Sequence, residues 1–495
     1  MEPLFTKVKP FLIHLLILSV ILAGCSEPSP PATISASETS PVIVSSKTIE
    51  PTASGTPVPV MEFNEYMIDL ELDYEAKQAR VNEIILFQNN TGEDLSELVL
   101  AVEPNLWPDC FLLESISIDG ESITSYELEG QRLTIPKRMV PQQVTEITII
   151  YELIIPRIEI NDQAIIIRTQ VFGIANRQVN LVDWYPFLVP YESGEGWILN
   201  EPATYGEHLT YDSANFEVNI HFTNGSNPVV AASGELVSTN NGSLYSLQKG
   251  RSFALSFSTD YLVKTQEVNG VLVQSYYFAG NALGGQAALD ATVQALMVFS
   301  EAFGPYQHAT LSIVQEETGF SMEYDGLYFL ERPLYYGYSG QFYDTLPTIA
   351  AHETSHQWWF GLVGTDQANQ PWLDEALATY SERIYNESIS QEKADWWYAW
   401  RISSAESNDC PIDISIYGFY NYDCFYTDSV YYRGGLFMQS LRDLIGDQAF
   451  FSFLKDFATR FAHQRASGSD FFEVLRDHTD ADLSEILQEF FKDTY

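Results

Sequence analysis

From Met61 to about Tyr261, apolar and polar residues alternate in short runs. Met67-Ile68-Asp69-Leu70-Glu71-Leu72 shows the period of two expected of a half-buried strand. The same pattern predicts strands over 79–87, 98–102, 146–154, 216–222 and 252–258. Asp119-Gly120 and Asn241-Gly242 are turn signals between such runs. This half reads as an antiparallel β domain, saddle- or sandwich-like, over residues 61–262.

Beyond about Val263 the period changes. Strands are expected over 271–278 and 310–314, and helical spacing dominates afterwards. Gln286–Phe303 is amphipathic. Further helices are expected near 434–445, 450–461 and 483–491. The second half, residues 263–495, is therefore an α+β domain, and the fold class is multidomain α+β. No internal repeat of fixed period is visible.

The first sixty residues follow neither pattern. Lys7 and Lys9 precede an apolar run from Phe11 to Ala23, thirteen residues, short for a bilayer span. Leu22-Ala23-Gly24-Cys25 resembles a bacterial lipobox, which makes residues 1–25 a signal segment and Cys25 the lipidated residue. The chain would then be held at the cell membrane by acyl chains, on the extracytoplasmic side. Residues 26–60 are rich in Ser, Thr and Pro and poor in large apolar residues, the composition of a disordered tether.

Charge narrows the partners. There are 67 acidic and 25 basic residues, a formal net charge of -42. Such a surface argues against nucleic acid and against electrostatic docking on anionic lipid. With Cys25 acylated, Cys410 and Cys424 are close enough in sequence to pair in an oxidising compartment. Closing so short a loop adds about 3 kcal/mol. Cys110 is then a buried free thiol.

The chemistry concentrates in His352-Glu353-Thr354-Ser355-His356. Histidines four apart share one face of a helix, and neutral imidazoles are good Zn²⁺ ligands. The glutamate between them is placed to act as a base on water at the metal. Glu375 follows His356 after eighteen residues, within Trp372-Leu373-Asp374-Glu375-Ala376. It completes a three-ligand set that leaves a position open, as a catalytic zinc site needs. The first motif is expected on a helix entered at Asp344 or Thr345, with Pro347 in its first turn. Trp359 and Phe360 are read as its apolar flank, and Gly361 and Gly364 as its end. Glu375 is expected on a second helix starting near Pro371.

Four segments together resemble the aminopeptidase N family of gluzincin zinc metallopeptidases, here in a short bacterial lipoprotein form. Ala351–Trp358 is similar to its zinc helix, and Trp372–Ala378 to its WLNEGFA segment. Ser321-Met322-Glu323-Tyr324-Asp325-Gly326-Leu327 is similar to the GxMENxGL strand, and Tyr431-Tyr432-Arg433-Gly434 to YxKG. The resemblance implies an N-terminal β saddle before a thermolysin-like catalytic domain. It implies one Zn²⁺ on His352, His356 and Glu375, and peptide substrates. Glu353 would be the general base, and Tyr431 the oxyanion donor with Tyr432 as the other choice. Glu323, beside Met322, would bind the substrate's free amine. Here the pattern departs from the family, since Phe320, Ser321 and Tyr324 replace its Gly, Ala and Asn. No second amine-binding acid is marked in the β domain. The family's larger members carry further C-terminal modules over the active site, so the cleft is expected to be more open.

Two other readings stand beside the aminopeptidase. The altered strand fits an endopeptidase or oligopeptidase with an open cleft. A non-catalytic surface lipoprotein is opposed by Glu353, because a structural zinc needs no neighbouring base and is usually held by cysteines.

Overall fold

The structure is a computed structural model that describes residues 61–158, 171–407, 409–422, 424–493 and 495. The signal segment, Cys25 and the tether expected over 26–60 lie outside the described residues.

Alternation of apolar and polar residues makes β1 (Asn64–Asp73) a strand with Tyr66, Ile68, Leu70 and Leu72 on the buried face. It pairs antiparallel with β2 (Gln78–Gln88), which pairs in turn with β3 (Val144–Ile154). On its other side β1 meets β4 (Ala214–Phe222), completing the centre of an eight-stranded sheet. The β1–β4 pairing is parallel, which corrects the expectation of a purely antiparallel domain. Parallel neighbours need a long connection, and the chain between these two strands supplies it. Two four-stranded sheets pack with this one around a common apolar core.

The second half opens on β5 (Tyr261–Val268), a strand that the sequence pattern did not mark. It turns at Asn269-Gly270, both at positive φ, into β6 (Val271–Phe278). β6 runs parallel to β7 (Thr310–Glu316), and β7 parallel to β9 (Leu327–Glu331). The short β8 (Met322–Tyr324) is antiparallel to β9 and forms the sheet edge. Helix α1 (Ala282–Phe303) connects β6 to β7 and buries Leu289, Leu296 and Phe299. Helices α2 (Leu346–Ser355) and α3 (Trp372–Ile389) follow, then α4 (Gly434–Ile445) and α5 (Asp447–Arg460). No described helix is long and apolar enough to cross a membrane.

Helix α2 ends sooner than its flanking residues suggest. Thr345 is its N-cap but makes no side-chain cap, and His356 is already the C-cap. Trp359 and Phe360 lie beyond it, in wider turns where Gly361 N–H donates to His356 O and Val363 N–H to Trp358 O. Their apolar bulk serves other packing: Trp359 meets Phe303 at 4.7 Å and Phe360 meets Tyr211 at 6.0 Å. The carbonyls of this turn find a donor in Arg251, from the β half. Its Nε donates to Phe360 O at 2.7 Å and its Nη2 to Leu362 O at 3.2 Å. Its Nη1 donates to Tyr211 O at 3.0 Å. Gly361 and Gly364 allow this approach. A Cβ at Gly364 would stand 2.4 Å from the guanidinium, and one at Gly361 would stand 2.4 Å from Asp325 Oδ1.

Candidate metal centre

Pro347 stands in the first turn of α2, and one turn of helix brings His352 and His356 to the same face. Helix α3 begins after Pro371 and places Asp374 and Glu375 in its first turn, where the helix dipole favours carboxylates. The two helices pack so that three ligand atoms converge. His352 Nε2 lies 3.2 Å from His356 Nε2 and 3.4 Å from Glu375 Oε2, and His356 Nε2 lies 3.6 Å from Glu375 Oε2. Tetrahedral zinc with bonds of about 2.0–2.1 Å requires ligand atoms roughly 3.3–3.4 Å apart, so the triangle fits that ion. Glu375 Oε2 is buried and has no hydrogen-bond partner among the described residues. A buried carboxylate oxygen without a donor is costly, and a cation at this point would satisfy it.

The far side of each imidazole is also held. His356 Nδ1 lies 2.7 Å from Asp374 Oδ1, and His352 Nδ1 lies 2.9 Å from Glu382 Oε1. A carboxylate behind a ligating histidine fixes the tautomer that turns the Nε2 lone pair to the metal. Burial opposes charge on His352, and Glu375 and Glu382 outweigh it, raising the imidazole to about 9. Burial likewise opposes charge on His356, and Asp374 and Glu323 raise it well above its ordinary range.

Glu353 is buried beside this set, with Oε2 unpartnered among the described residues. Burial pushes its carboxyl up to about 7, against the attraction of His352 and His356. Tyr431 donates to Glu375 Oε1 at 2.5 Å, and its ring stacks on His352 with centroids 6.0 Å apart. Of the two tyrosines left open by the sequence, Tyr431 is the one at the ligands. Tyr432 turns to Arg401 instead, 5.3 Å from its ring.

Glu323 and Met322 sit on edge strand β8. Glu323 Oε1 accepts from Gln367 Nε2 at 3.2 Å, and the same nitrogen donates to Asp374 Oδ2 at 2.6 Å. Glu323 and Met322 line a cavity of about 10 Å³ with Glu207, Asp183 and Tyr211 from the β half. Burial drives the Glu323 carboxyl well up, His356 opposing and Glu207 adding to the rise. Glu207 is thus a second carboxylate at this cavity, one that the sequence did not mark. It follows Gly206, whose φ of 65° and close approach to Tyr426 leave no room for a side chain.

Cys410 and Cys424 form the disulfide, with Cα atoms 6.2 Å apart, in the segment before Tyr431. Cys110 is the free cysteine among the described residues, and burial pushes its thiol up to about 12. Tyr426 is buried within 5.8 Å of the Tyr431 ring. Tyr420 and Phe425 are exposed, and Trp397 packs in the core.

Residues 287–490 match the peptidase family M1 domain. Aminopeptidase M1-B of Oryza sativa subsp. japonica is 25% identical over 249 residues, which cover 46% of this chain and 27% of that protein. Aminopeptidase N of Lactobacillus helveticus is 26% identical over 157 residues, 29% of this chain and 18% of that protein. The chain therefore matches about a quarter or less of the length of these two curated relatives. Among solved structures, the M1 zinc metallopeptidase of Deinococcus radiodurans superposes with a TM-score of 0.62 at 17% identity, covering 88% of this chain and 96% of that one. A mutant of that protein bound to a Tyr-Ser-Ala substrate gives 0.64 at 18% identity, with the same coverage. Residues 287–490 are thus similar to the peptidase family M1 domain, and the chain shares the fold of the M1 metallopeptidase structures, a β-rich half followed by an α+β half.

Proposed function

We propose that this protein is a zinc-dependent aminopeptidase. The observation that carries the reading is the triangle of His352, His356 and Glu375 atoms with a non-ligating glutamate, Glu353, buried against it. When bound there, Zn²⁺ supplies a Lewis acid for the scissile carbonyl and lowers the pKa of water at the site. Glu353 takes the proton of the attacking water on its carboxylate and hands it to the leaving amine nitrogen. The Tyr431 hydroxyl donates to the oxygen on which negative charge develops. Glu323 and Glu207 bind the free α-amine, so that the first peptide bond lies over the metal position. The Tyr-Ser-Ala substrate of the Deinococcus radiodurans structure supports short peptides with free amino termini as substrates here.

Tyr431→Phe tests the assignment. It removes one donor without opening a cavity, and kcat on a free tripeptide is expected to fall by about 10² while KM stays near its original value. An unchanged kcat would remove Tyr431 from the mechanism.

An endopeptidase is the second reading. It is favoured by Phe320 and Ser321 before Met322-Glu323, and by the place of that strand at the sheet edge.

The location follows from sequence alone: Lys7, Lys9, the apolar run and Leu22–Cys25 support acylation at Cys25 and an extracytoplasmic, membrane-anchored protein. Cys25→Ser is then expected to move the protein from the membrane fraction to the soluble one. Equal partition of both forms would count against the anchor.

A further inference from the structure

Beneath the proposed centre lies a buried cation that none of the roles above uses. Arg401 sits on a π-helical turn, Tyr398–Ile402. Tyr431 sits on another, Thr427–Arg433. Such wide turns interrupt the regular hydrogen bonding of a helix and recur where a side chain must be aimed. The Arg401 side chain is 12% exposed, and Glu382, its carboxylate partner, is fully buried.

The contacts of Arg401 run in two directions. Its Nη2 donates to Glu382 Oε1 at 2.9 Å, and the same oxygen stands 2.9 Å from His352 Nδ1. The second Glu382 oxygen accepts from Trp397 Nε1 at 2.7 Å. Toward the other side, the guanidinium lies 5.9 Å from the Tyr431 ring centroid and 5.3 Å from that of Tyr432, within the range of cation–π attraction. Tyr431 closes the circuit by stacking on His352 and donating to Glu375. Arg401 Nε has no hydrogen-bond partner among the described residues, so one carboxylate and the ring faces hold the guanidinium.

We propose that Arg401 is a positioning residue that ties a zinc ligand to the oxyanion donor: it fixes Glu382 behind His352 and holds the ring of Tyr431 against that same histidine. The inference rests on the zinc-peptidase reading given above and deepens it. Without Arg401 the Glu382 carboxylate is a buried charge lacking its cation, and it moves or draws in water. His352 then loses the carboxylate that stands 2.9 Å from its Nδ1 and orients its ring, and Tyr431 loses a wall. Arginine suits the place because its planar guanidinium can face a carboxylate and aromatic faces together, which an ammonium does poorly.

The test is a double-mutant cycle on the full chain: wild type, Arg401→Met, Glu382→Gln and the double variant. Zinc affinity is measured by competition with a chromophoric chelator, and kcat and KM at zinc saturation. Arg401→Met is expected to weaken zinc binding by about 10–100-fold. At zinc saturation its kcat should fall roughly tenfold with KM unchanged. The double variant should bind zinc no more weakly than Glu382→Gln alone, because Arg401 acts on the metal through Glu382. Arg401→Lys keeps the charge, so it should regain much of the zinc affinity and less of kcat. It also decides the matter if Arg401→Met does not fold. Zinc affinity within about twofold of wild type in Arg401→Met, or losses that multiply in the double variant, would overturn the proposal. Wild-type protein that binds no zinc would instead overturn the zinc reading itself.

Discussion

Glu353→Gln is expected to lower kcat by about 10²–10⁴ while the protein keeps its zinc. The side chain is not part of the ligand triangle, which is closed by His352, His356 and Glu375. Glutamine has nearly the same volume, so neither helix α2 nor the packing beneath it needs to move. What disappears is the carboxylate that accepts a proton from water and returns it to the leaving amine. Burial raises that carboxyl above its ordinary range, toward the pH at which a group can both take and return a proton. Single-turnover kinetics with metal analysis on the same sample checks this. Zinc lost together with activity would make Glu353 a structural support of the site.

Blocking the substrate's amine is the second large effect. An N-acetylated tripeptide is expected to have a kcat/KM about 10²–10⁴ lower than its free counterpart. Glu323 and Glu207 share one small cavity, and both are carboxylates brought there by different halves of the chain. In the proposed reading the two carboxylates accept an ammonium group and disfavour a neutral amide. Removing one partner of a buried ion pair costs about 3–5 kcal/mol, which is the origin of the expected factor. Glu323→Gln should shrink the discrimination, chiefly by raising KM for free peptides. Equal hydrolysis of blocked and free peptides would establish the endopeptidase reading, with the departures at Phe320 and Ser321 as its structural basis.

How much of this was legible depended on whether the signal was local. His352, Glu353 and His356 lie within one turn of helix, so spacing alone placed them. Glu375 was legible because its segment follows after a short loop and opens a helix. The turn at Asp119-Gly120 was equally local, with both residues at positive φ. The Cys410–Cys424 pair was also readable from its short separation. Glu207 could not be read, because its loop reaches Glu323 from the other half of the chain and shares no period with it. Arg251 was invisible for the same reason, although it supplies donors to the turn that ends α2. The parallel pairing of β1 with β4 joins strands about 150 positions apart, beyond the reach of any local pattern. The end of α2 was misplaced because Trp359 and Phe360 are as apolar as a helix flank should be. Their bulk serves packing against Phe303 and Tyr211. Helical spacing reports that a residue is buried, and it is silent about which element carries it.

The central claim is that His352, His356 and Glu375 hold one catalytic zinc. The most direct measurement is zinc content per chain of the purified protein, taken with hydrolysis of Tyr-Ser-Ala before chelation, after it and after zinc is restored. One zinc per chain is expected, with release of the first residue that vanishes on chelation and returns with the metal. A Glu375→Ala sample should fail to regain it. Hydrolysis that persists in fully chelated protein, or zinc that binds as tightly to Glu375→Ala as to wild type, would contradict the account.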